Sequence, residues 1–279
     1  GPYAVALGDW NGDGALDLVA PNYIDQSLSV LLNRGDGSFT SLGSQFIGTA
    51  TSQLVVEDVN RDGRLDLVTA NWTSDSISVF FGKGDGGFQL SQTIASTIRV
   101  DHVALLDLNG DGKQDIIGLN RTDTSRTIYA LYGVTVGTFS TTPVQLTTTG
   151  PAPDSVAIAD YNRDGIVDFI TANVNGADLS LFLGRRPGTV APAVSLPTGP
   201  GTEPQSVLTA DLNGDGLLDL VVSDRAGQRV LSLLGNGDGT FQPPRSAPAD
   251  LRPYYMDIAD LNGDGLLDVA VACRDANTT

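Results

Sequence analysis

A nine-residue string recurs six times along the chain, and it constrains the fold more than any other feature of the sequence. The first copy reads Asp-Trp-Asn-Gly-Asp-Gly-Ala-Leu-Asp over residues 9–17, and the last reads Asp-Leu-Asn-Gly-Asp-Gly-Leu-Leu-Asp over residues 260–268. The leading aspartates lie at positions 9, 58, 107, 160, 211 and 260, so the intervals are 49, 49, 53, 51 and 49 residues. Six copies at a nearly constant interval predict a repeat architecture with units of about 50 residues.

Short apolar segments flank each string and predict the secondary structure of the unit. In the second unit, residues 54–56 precede the string, residues 65–68 close it, and residues 77–81 form a third segment. A weaker fourth segment follows a glycine-rich turn, as at residues 44–47 of the first unit. These segments contain β-branched residues and lie close to Gly or Asn, which is typical of strands. No window shows a sustained helical period, so no helix is predicted.

Four short strands in each unit predict an all-β chain, a β-propeller with four-stranded blades of about 50 residues. One small twisted sheet cannot bury both faces alone, and stacking the blades buries each face against the next. A β-solenoid has far shorter turns and would show the string more often. A third strand would begin about 19 residues after each leading aspartate, which is position 279 for the last copy. The prediction is therefore five full blades and the first two strands of a sixth.

The predicted propeller is a single domain over residues 1–279. Its blades are predicted at about residues 1–48, 49–97, 98–150, 151–200 and 201–250, with the partial blade at 251–279.

The residue types in the string predict a calcium loop. Oxygen-bearing side chains occupy the first, third, fifth and ninth places, and glycine occupies the sixth. Ca²⁺ takes six to eight oxygen ligands in flexible geometry, whereas Mg²⁺ prefers rigid octahedra and zinc prefers His and Cys. The seventh residue offers its backbone carbonyl. Asp, Asn and Gly also form ordinary turns, but a turn does not require an aspartate at the ninth place beside a strand.

Up to six Ca²⁺ ions are therefore predicted, one in each string. The predicted ligands occupy the first, third, fifth, seventh and ninth places: Asp9, Asn11, Asp13, Ala15, Asp17, Asp58, Asn60, Asp62, Arg64, Asp66, Asp107, Asn109, Asp111, Lys113, Asp115, Asp160, Asn162, Asp164, Ile166, Asp168, Asp211, Asn213, Asp215, Leu217, Asp219, Asp260, Asn262, Asp264, Leu266 and Asp268.

The charge of the chain agrees with a cation-binding role and excludes several partners. The chain has 33 acidic and 16 basic residues, a net charge of −17, and 18 of the acids lie in the six strings. Six Ca²⁺ ions would change the net charge from −17 to −5. An acidic surface repels phosphate backbones, so no nucleic-acid partner is expected. No run of 18 apolar residues occurs, so no membrane insertion is expected.

The string also carries a family resemblance. Together with the Leu-Asp-Leu-Val segment at residues 16–19 and the glycine-rich turn at residues 233–241, it resembles the FG-GAP or VCBS repeats. These are the calcium-binding blades of integrin α-subunit heads and of many secreted bacterial proteins. The resemblance covers essentially the whole chain and implies a propeller with Ca²⁺ between the first two strands of each blade, in an extracellular setting. Residues 133–139 and 184–190 depart from the pattern, because they lack the second acidic turn.

Three functional hypotheses follow from the sequence. The first is a secreted, calcium-stabilised, non-enzymatic module for adhesion or recognition, lectin-like, with a protein or glycan ligand. The second is a structural subunit of an extracellular fibre or surface layer that self-associates through the incomplete sixth blade. The third and weakest is a polysaccharide-active enzyme domain. No catalytic residues are predicted, because the dense carboxylates repeat equally in every blade, whereas catalysis needs an asymmetric site.

Four aromatic residues are candidates for stacking on a sugar: Trp72, Tyr132, Tyr254 and Tyr255. Isolated aromatic side chains more often pack within the protein, and the sequence alone does not separate the two roles.

Overall fold

The computed structural model describes residues 4–22, 24–47, 51–95, 99–122, 124–185 and 189–274. Within these ranges the chain contains 26 strands and no helix, so the predicted all-β class is confirmed. None of the described segments forms a helix that could span a membrane.

Five four-stranded sheets follow one another along the described chain, each with its strands in sequence order. The first holds β1 (Ala6–Gly8), β2 (Asp17–Asn22), β3 (Ser27–Asn33) and β4 (Phe39–Phe46), and the second holds β5 (Thr51–Glu57), β6 (Asp66–Asn71), β7 (Ser76–Gly82) and β8 (Phe88–Ala95). The third sheet holds β9 (His102–Leu106), β10 (Asp115–Leu119) and β11 (Thr127–Leu131), then, after the short pair β12 (Gly133–Thr135) and β13 (Thr138–Phe139), its outer strand β14 (Val144–Thr147).

The fourth sheet holds β15 (Pro153–Ala159), β16 (Asp168–Asn173) and β17 (Asp178–Phe182), then, after the short pair β18 (Gly184–Arg185) and β19 (Thr189–Val190), its outer strand β20 (Val194–Pro197). The fifth sheet holds β21 (Pro204–Ala210), β22 (Asp219–Asp224), β23 (Arg229–Leu233) and β24 (Arg245–Pro248). A sixth sheet consists of β25 (Pro253–Ala259) and β26 (Asp268–Cys273).

These tandem sheets are the blades of a β-propeller fold, and each lies inside one of the predicted blade ranges. Neighbouring strands are antiparallel throughout the first, second, fourth and fifth sheets. The sixth blade holds two strands in the described residues, as the sequence predicts.

The two short pairs, β12 with β13 and β18 with β19, are not predicted by the sequence. They occur in the third and fourth blades, where the second acidic turn is missing. The underlying pairing is shared by all five full blades: a residue at the end of the third strand, or two positions beyond it, pairs with the one six positions later, as Gly82 with Phe88 and Gly184 with Val190. In the first two blades this pair belongs to the long outer hairpin, and in the fifth it is a single bridge. The short pairs are therefore parts of an outer hairpin that all full blades share and that is interrupted in the third and fourth blades.

The chain divides into two compact units. The first comprises residues 1–106, 112–120 and 129–144, and the second comprises residues 107–111, 121–128 and 145–279. The division passes through the third blade, and the single domain over residues 1–279 stays a prediction.

In the first unit, buried apolar side chains of neighbouring blades pack against each other. Trp10 is buried and meets Phe88 of the next blade edge to face, with ring centroids 5.3 Å apart. A second cluster joins Val79 and Ile94 to Ile116 of the third blade. Every residue of β6 is buried, because this strand has another blade on each side. Burial of both blade faces is the packing predicted for stacked sheets.

The second unit repeats this arrangement between the fourth and fifth blades. Ile170 and Leu181 of the fourth blade pack with Val222 and Leu231 of the fifth in one buried cluster. Every residue of β22 is buried, whereas no residue of β26 is. The second strand of the sixth blade is thus less enclosed than the second strand of the fifth.

Candidate metal-binding loops

Each nine-residue string forms the connection between the first and second strands of its blade. We call these six segments the acidic loops: residues 9–17, 58–66, 107–115, 160–168, 211–219 and 260–268. In every loop the ninth aspartate is the first residue of the second strand. The loop position expected from the family resemblance is therefore present in all six blades.

The first aspartate of the loop accepts hydrogen bonds from the backbone of the turn that it begins. Asp9 Oδ1 accepts from the amides of Gly12 (2.7 Å) and Asp13 (3.1 Å), and Oδ2 accepts from Gly14 (2.9 Å). Gly14 has a φ of 87°, a left-handed conformation that favours glycine. The amide of Gly14 is the largest cause that holds the pKa of Asp9 below its ordinary value. The carboxylate is therefore charged at neutral pH.

The same lowering occurs at the first aspartates of the fifth and sixth loops. The pKa values of Asp211 and Asp260 are lowered chiefly by the amides of Gly216 and Gly265, respectively. The repeated geometry therefore has a repeated electrostatic effect.

The third and fifth side chains meet at this turn. In the first loop, Asn11 Nδ2 donates to Asp13 Oδ2 at 2.8 Å, while Asn11 Oδ1 accepts from the amide of Asp13 at 3.0 Å. The amide of Ala15, at the seventh place, donates to Asp13 Oδ1 at 2.8 Å. The structure thus brings the first, third and fifth predicted ligands together around one turn.

The seventh place differs among the loops. In the second loop it is Arg64, whose Nη2 lies 2.5 Å from Asp62 Oδ2 and whose Nε donates to the carbonyl of Gly82 at 2.8 Å. In the third loop it is Lys113, whose Nζ donates to the carbonyl of Gly133 at 3.2 Å. Arg64 therefore pairs directly with a carboxylate of its own loop.

The ninth aspartate is buried and joins the loop to the chain at the end of the third strand or just beyond it. Asp219 is fully buried, its Oδ2 accepts from the amide of Leu212 (3.0 Å), and its Oδ1 accepts from the amide of Gly235 (2.8 Å). The same pair of contacts is made by Asp17, Asp66 and Asp168. We call this two-ended contact the aspartate clamp.

Burial raises the pKa of ninth aspartates, whereas the amides of the turn lower the pKa of first aspartates. Desolvation raises the pKa values of Asp66 and Asp168, although the amides of Gly82 and Gly184 oppose that rise. Sequence reasoning predicts these aspartates as metal ligands but misses their backbone partners at the end of the third strand or just beyond it. The signal that could have found them is the constant spacing of 16 residues from the ninth aspartate to the donor in four blades.

The side chains of the loop match a hard cation at the first, third and fifth places, but the geometry of the ninth place differs. Carboxylates at the first and fifth places and an amide oxygen at the third are the oxygen ligands that Ca²⁺ prefers. No group of three or more His, Cys, Asp or Glu side chains in the described residues is arranged to hold a metal ion. Each turn joins two carboxylates with an asparagine, while both oxygens of the clamp aspartate face backbone amides. The first, third and fifth places fit a cation, and the ninth is better suited to fastening the loop.

Neighbouring loops also contact each other. Arg61 replaces glycine at the fourth place of the second loop, has a φ of 59°, and donates from Nη2 to the carbonyl of Gly112 in the third loop. In the second unit, a cavity of about 360 Å³ lies between the fourth and fifth loops and is lined by Asp160, Arg163 and Leu217. A side chain at the fourth place thus reaches the loop of the following blade.

Comparison with known protein families identifies the family of the repeat. The model of the FG-GAP-like repeat matches five overlapping segments: residues 9–69, 58–118, 107–171, 160–222 and 211–271. Each segment runs from one acidic loop through the next. The chain belongs to the FG-GAP-like repeat family. No curated protein sequence matches it significantly.

Solved structures share the fold of this FG-GAP-like protein. A protein from Lactobacillus plantarum has 16% sequence identity and a TM-score of 0.72, with 99% of this chain and 78% of that chain covered. A Bacteroides fragilis protein, provisionally named a 6-phosphogluconolactonase, has 20% identity and a TM-score of 0.66, with 99% and 78% covered. The V. cholerae biofilm matrix protein has 17% identity and a TM-score of 0.52, with 91% and 40% covered. These likenesses show the fold alone.

Proposed function

We propose that this chain is a secreted, calcium-stabilised propeller that acts as a non-enzymatic adhesion or recognition module for a protein or glycan ligand, in the manner of a lectin. The observation that carries the proposal is the arrangement of the acidic loops. In each full blade a charged turn is joined through a buried aspartate to the blade core, so a cation at the turn would stabilise the blade.

The charge of the turn supports the cation. In the first loop the carboxylates of Asp9 and Asp13 both contact the amide segment around Gly14, and neither contacts a basic side chain among the described residues. Like charges at this separation repel, and Ca²⁺ would neutralise them. The oxygens of Asp9, Asn11 and Asp13, with the carbonyl of Ala15, would hold the ion. Asp17 would fasten that turn to the third strand.

The repetition of the loops argues for a structural role of the metal. Six equivalent loops cannot distinguish one ligand from another, so recognition is expected at residues that differ between blades. The same reasoning argues against catalysis at the loops. An extracellular location would supply the millimolar calcium that exposed loops of this kind require.

Calcium removal tests this proposal. A site saturated at a hundred times its dissociation constant adds about 2.7 kcal/mol to the free energy of unfolding, and several such sites rival the ~5–15 kcal/mol of a typical domain. We expect a chelator to lower the melting temperature, followed by circular dichroism, by tens of degrees. Millimolar Ca²⁺ should restore it better than Mg²⁺. A melting curve that a chelator leaves unchanged would overturn the metal assignment.

One observation favours a second candidate, a structural subunit of an extracellular fibre or surface layer. Among the described residues β26 pairs only with β25, and no residue of it is buried. Such an edge can accept a strand from another chain. Proline in place of Ala270 should then change the oligomer size measured by light scattering. A protein that stays monomeric with and without the substitution would rule out strand addition.

A further inference from the structure

Several asparagines of this chain are followed directly by glycine, a pair of residues with a chemistry of its own. The pairs begin at Asn11, Asn109, Asn175, Asn213, Asn236 and Asn262. The backbone nitrogen of the glycine can attack the side-chain carbonyl carbon of the asparagine and displace ammonia, because glycine has no side chain that hinders the approach. The pair is the same at every site, so the structure around it decides which asparagine reacts.

In four of these pairs a hydrogen bond holds the glycine amide. The amides of Gly12, Gly214 and Gly263 donate to the first aspartate of their acidic loops at 2.7, 2.8 and 2.7 Å. The amide of Gly176 donates to the carbonyl of Asn173 at 2.9 Å. The nitrogen attacks only after it has lost its proton, and a hydrogen bond to an oxygen stabilises the form that keeps the proton. The fold therefore protects these four pairs.

The pair of Asn236 and Gly237 is not protected in this way. It lies in the turn after the third strand of the fifth blade, where Asn236 is exposed and Gly237 has a φ of 74°. Within the described ranges of the chain, the amide of Gly237 makes no hydrogen bond. At the matching turn of the first blade, the amide of Gly35 donates to Asn33 Oδ1 at 2.8 Å. The fifth blade has Gly235 at the place of Asn33, so the acceptor side chain is missing.

The carboxamide of Asn236 is held at this turn and open to water. Its Nδ2 donates to the hydroxyl of Thr240 at 2.8 Å, and that hydroxyl donates to Asp238 Oδ1 at 2.5 Å. Gly237 also lines the cavity of about 360 Å³ between the fourth and fifth acidic loops. The carbonyl carbon thus lies beside a free amide nitrogen, in a place that water can reach.

The remaining pair, Asn109 and Gly110, is intermediate. The amide of Gly110 makes no hydrogen bond in the part of the chain that the structure describes, but Asn109 is half-buried and its Oδ1 accepts from the amide of Asp111 at 2.8 Å. Asn109 is also a predicted calcium ligand, so an ion in the third loop would hold its oxygen. We therefore expect Asn109 to react more slowly than Asn236 when Ca²⁺ is present.

We propose that Asn236 is a site of spontaneous deamidation. The nitrogen of Gly237 loses its proton and bonds to Cγ of Asn236, the bond from Cγ to Nδ2 breaks, and ammonia leaves with that proton. The product is a cyclic imide, which needs only water to open. Attack of water at Cγ gives aspartate, and attack at the backbone carbonyl carbon gives isoaspartate, in which the main chain runs through the former side chain.

The modification weakens a contact between the fourth and fifth blades. The turn that begins at Asn236 contains Gly239, whose amide donates to the carbonyl of Tyr161 in the fourth acidic loop at 3.1 Å. The ring of Phe241 meets the ring of Tyr161 edge to face, with centroids 5.9 Å apart. Isoaspartate lengthens the main chain of this turn by a methylene group, so these contacts cannot all keep their geometry. Both products also add a negative charge beside Asp238.

The test does not depend on the calcium or recognition proposals, because Gly237 lies outside the acidic loops. The folded protein is incubated in H₂¹⁸O with Ca²⁺ at neutral pH and then analysed by peptide mass spectrometry. We expect the Asn236 peptide to lose ammonia, take up ¹⁸O and separate into aspartate and isoaspartate forms. The peptides of the three pairs with carboxylate-bound amides should react at least about tenfold more slowly. In urea, where these hydrogen bonds are broken, the rates should become similar.

A matched variant locates the reaction. Asn236→Lys places in this turn the residue that the second blade has there, Lys83, and should abolish ¹⁸O uptake without changing the circular dichroism spectrum. The deamidated protein, separated by ion exchange, should melt at a lower temperature than the unreacted protein. Equal rates at all the pairs in the folded protein, or reaction of Asn236 only in urea, would overturn the proposal. Equal melting temperatures would overturn the effect on the blade contact.

Discussion

The aspartate clamp can be tested separately from metal binding, because its hydrogen bonds to the backbone do not require a metal ion. Asp219→Asn keeps the size of the side chain but replaces one acceptor oxygen with an NH₂ group. That group would face either the amide of Leu212 or the amide of Gly235, which now donate to Asp219 at 3.0 and 2.8 Å. Whichever way the amide turns, one buried donor would lose its acceptor and the other would keep only a neutral one.

The size of the effect follows from this geometry. A hydrogen bond to a charged group contributes about 1.5–3 kcal/mol, and an unpaired buried N–H costs about 1–3 kcal/mol. We therefore expect Asp219→Asn to lower the free energy of unfolding by about 2–4 kcal/mol. Each kcal/mol corresponds to roughly 2–4 °C for a large domain, so the melting temperature should fall by about 4–16 °C. Asp219→Ala, which leaves two buried donors unpaired, should cost more.

The assay compares Asp219→Asn with Asp211→Asn, an exposed position in the same loop. Both variants are melted in saturating Ca²⁺ and in chelator. The clamp variant should be destabilised in both conditions, because its partners are backbone amides. The Asp211 variant should lose more stability in Ca²⁺ than in chelator, because the amides of Gly214, Asp215 and Gly216 that donate to Asp211 are exposed and can bond to water instead. If Asp219→Asn leaves the melting temperature in chelator unchanged, the ninth aspartate acts only through the metal and the clamp does not stabilise the fold by itself.

Three further outcomes are expected from the loops and blade contacts. Asp211→Ala should lower the calcium stoichiometry, measured by isothermal titration calorimetry, by one ion and leave the other sites filled. Gln92→Ala should lower the free energy of unfolding by about 1–3 kcal/mol in urea titrations, because Gln92 accepts from the amide of Phe139 at 3.0 Å and donates to its carbonyl at 2.9 Å across two blades. In chelator, ¹³C carboxyl signals should show Asp9 titrating below its ordinary pKa of 3.8 and Asp66 above it. The Asp9 charge then stabilises the fold above pH 3.8 and is lost on acidification, whereas the contribution of Asp66 is present when it is protonated and falls as the pH rises past 3.8.

The sequence predicts the repeated parts of this structure because they depend on local patterns. Strand positions follow from short apolar segments, and the turn at Asp9 to Gly14 follows from residue types that favour that turn. The clamp is not local: Oδ1 of Asp219 accepts from the amide of Gly235, 16 residues away and just beyond a strand whose register the sequence does not specify. An aspartate at a strand start was therefore interpreted only as a metal ligand.

The contacts of Arg121 with Asp154 and Tyr254 are still harder to predict from the sequence. The sequence indicates Tyr254 and Tyr255 as candidates for stacking on a sugar, but it does not distinguish Arg121 and Asp154 from the other charged residues. They are 33 residues apart in the chain, in different blades. Only the alignment of blades in space shows that these residues meet.

The spacing of the clamp has a consequence for how this chain can change in evolution. In the third blade the clamp spans 18 residues, from Asp115 to Gly133, instead of 16, and the contact is still made at 2.7 Å. The two additional residues lie between Leu119 and Thr127, in the turn that carries Arg121. Because the clamp requires two chemical groups and not a fixed length of chain, this turn can accept insertions while the acidic loop keeps its nine residues. Each blade thus keeps a constant acidic loop at one end and a turn of variable length at the other. Libraries of new binding surfaces could be built by lengthening that turn.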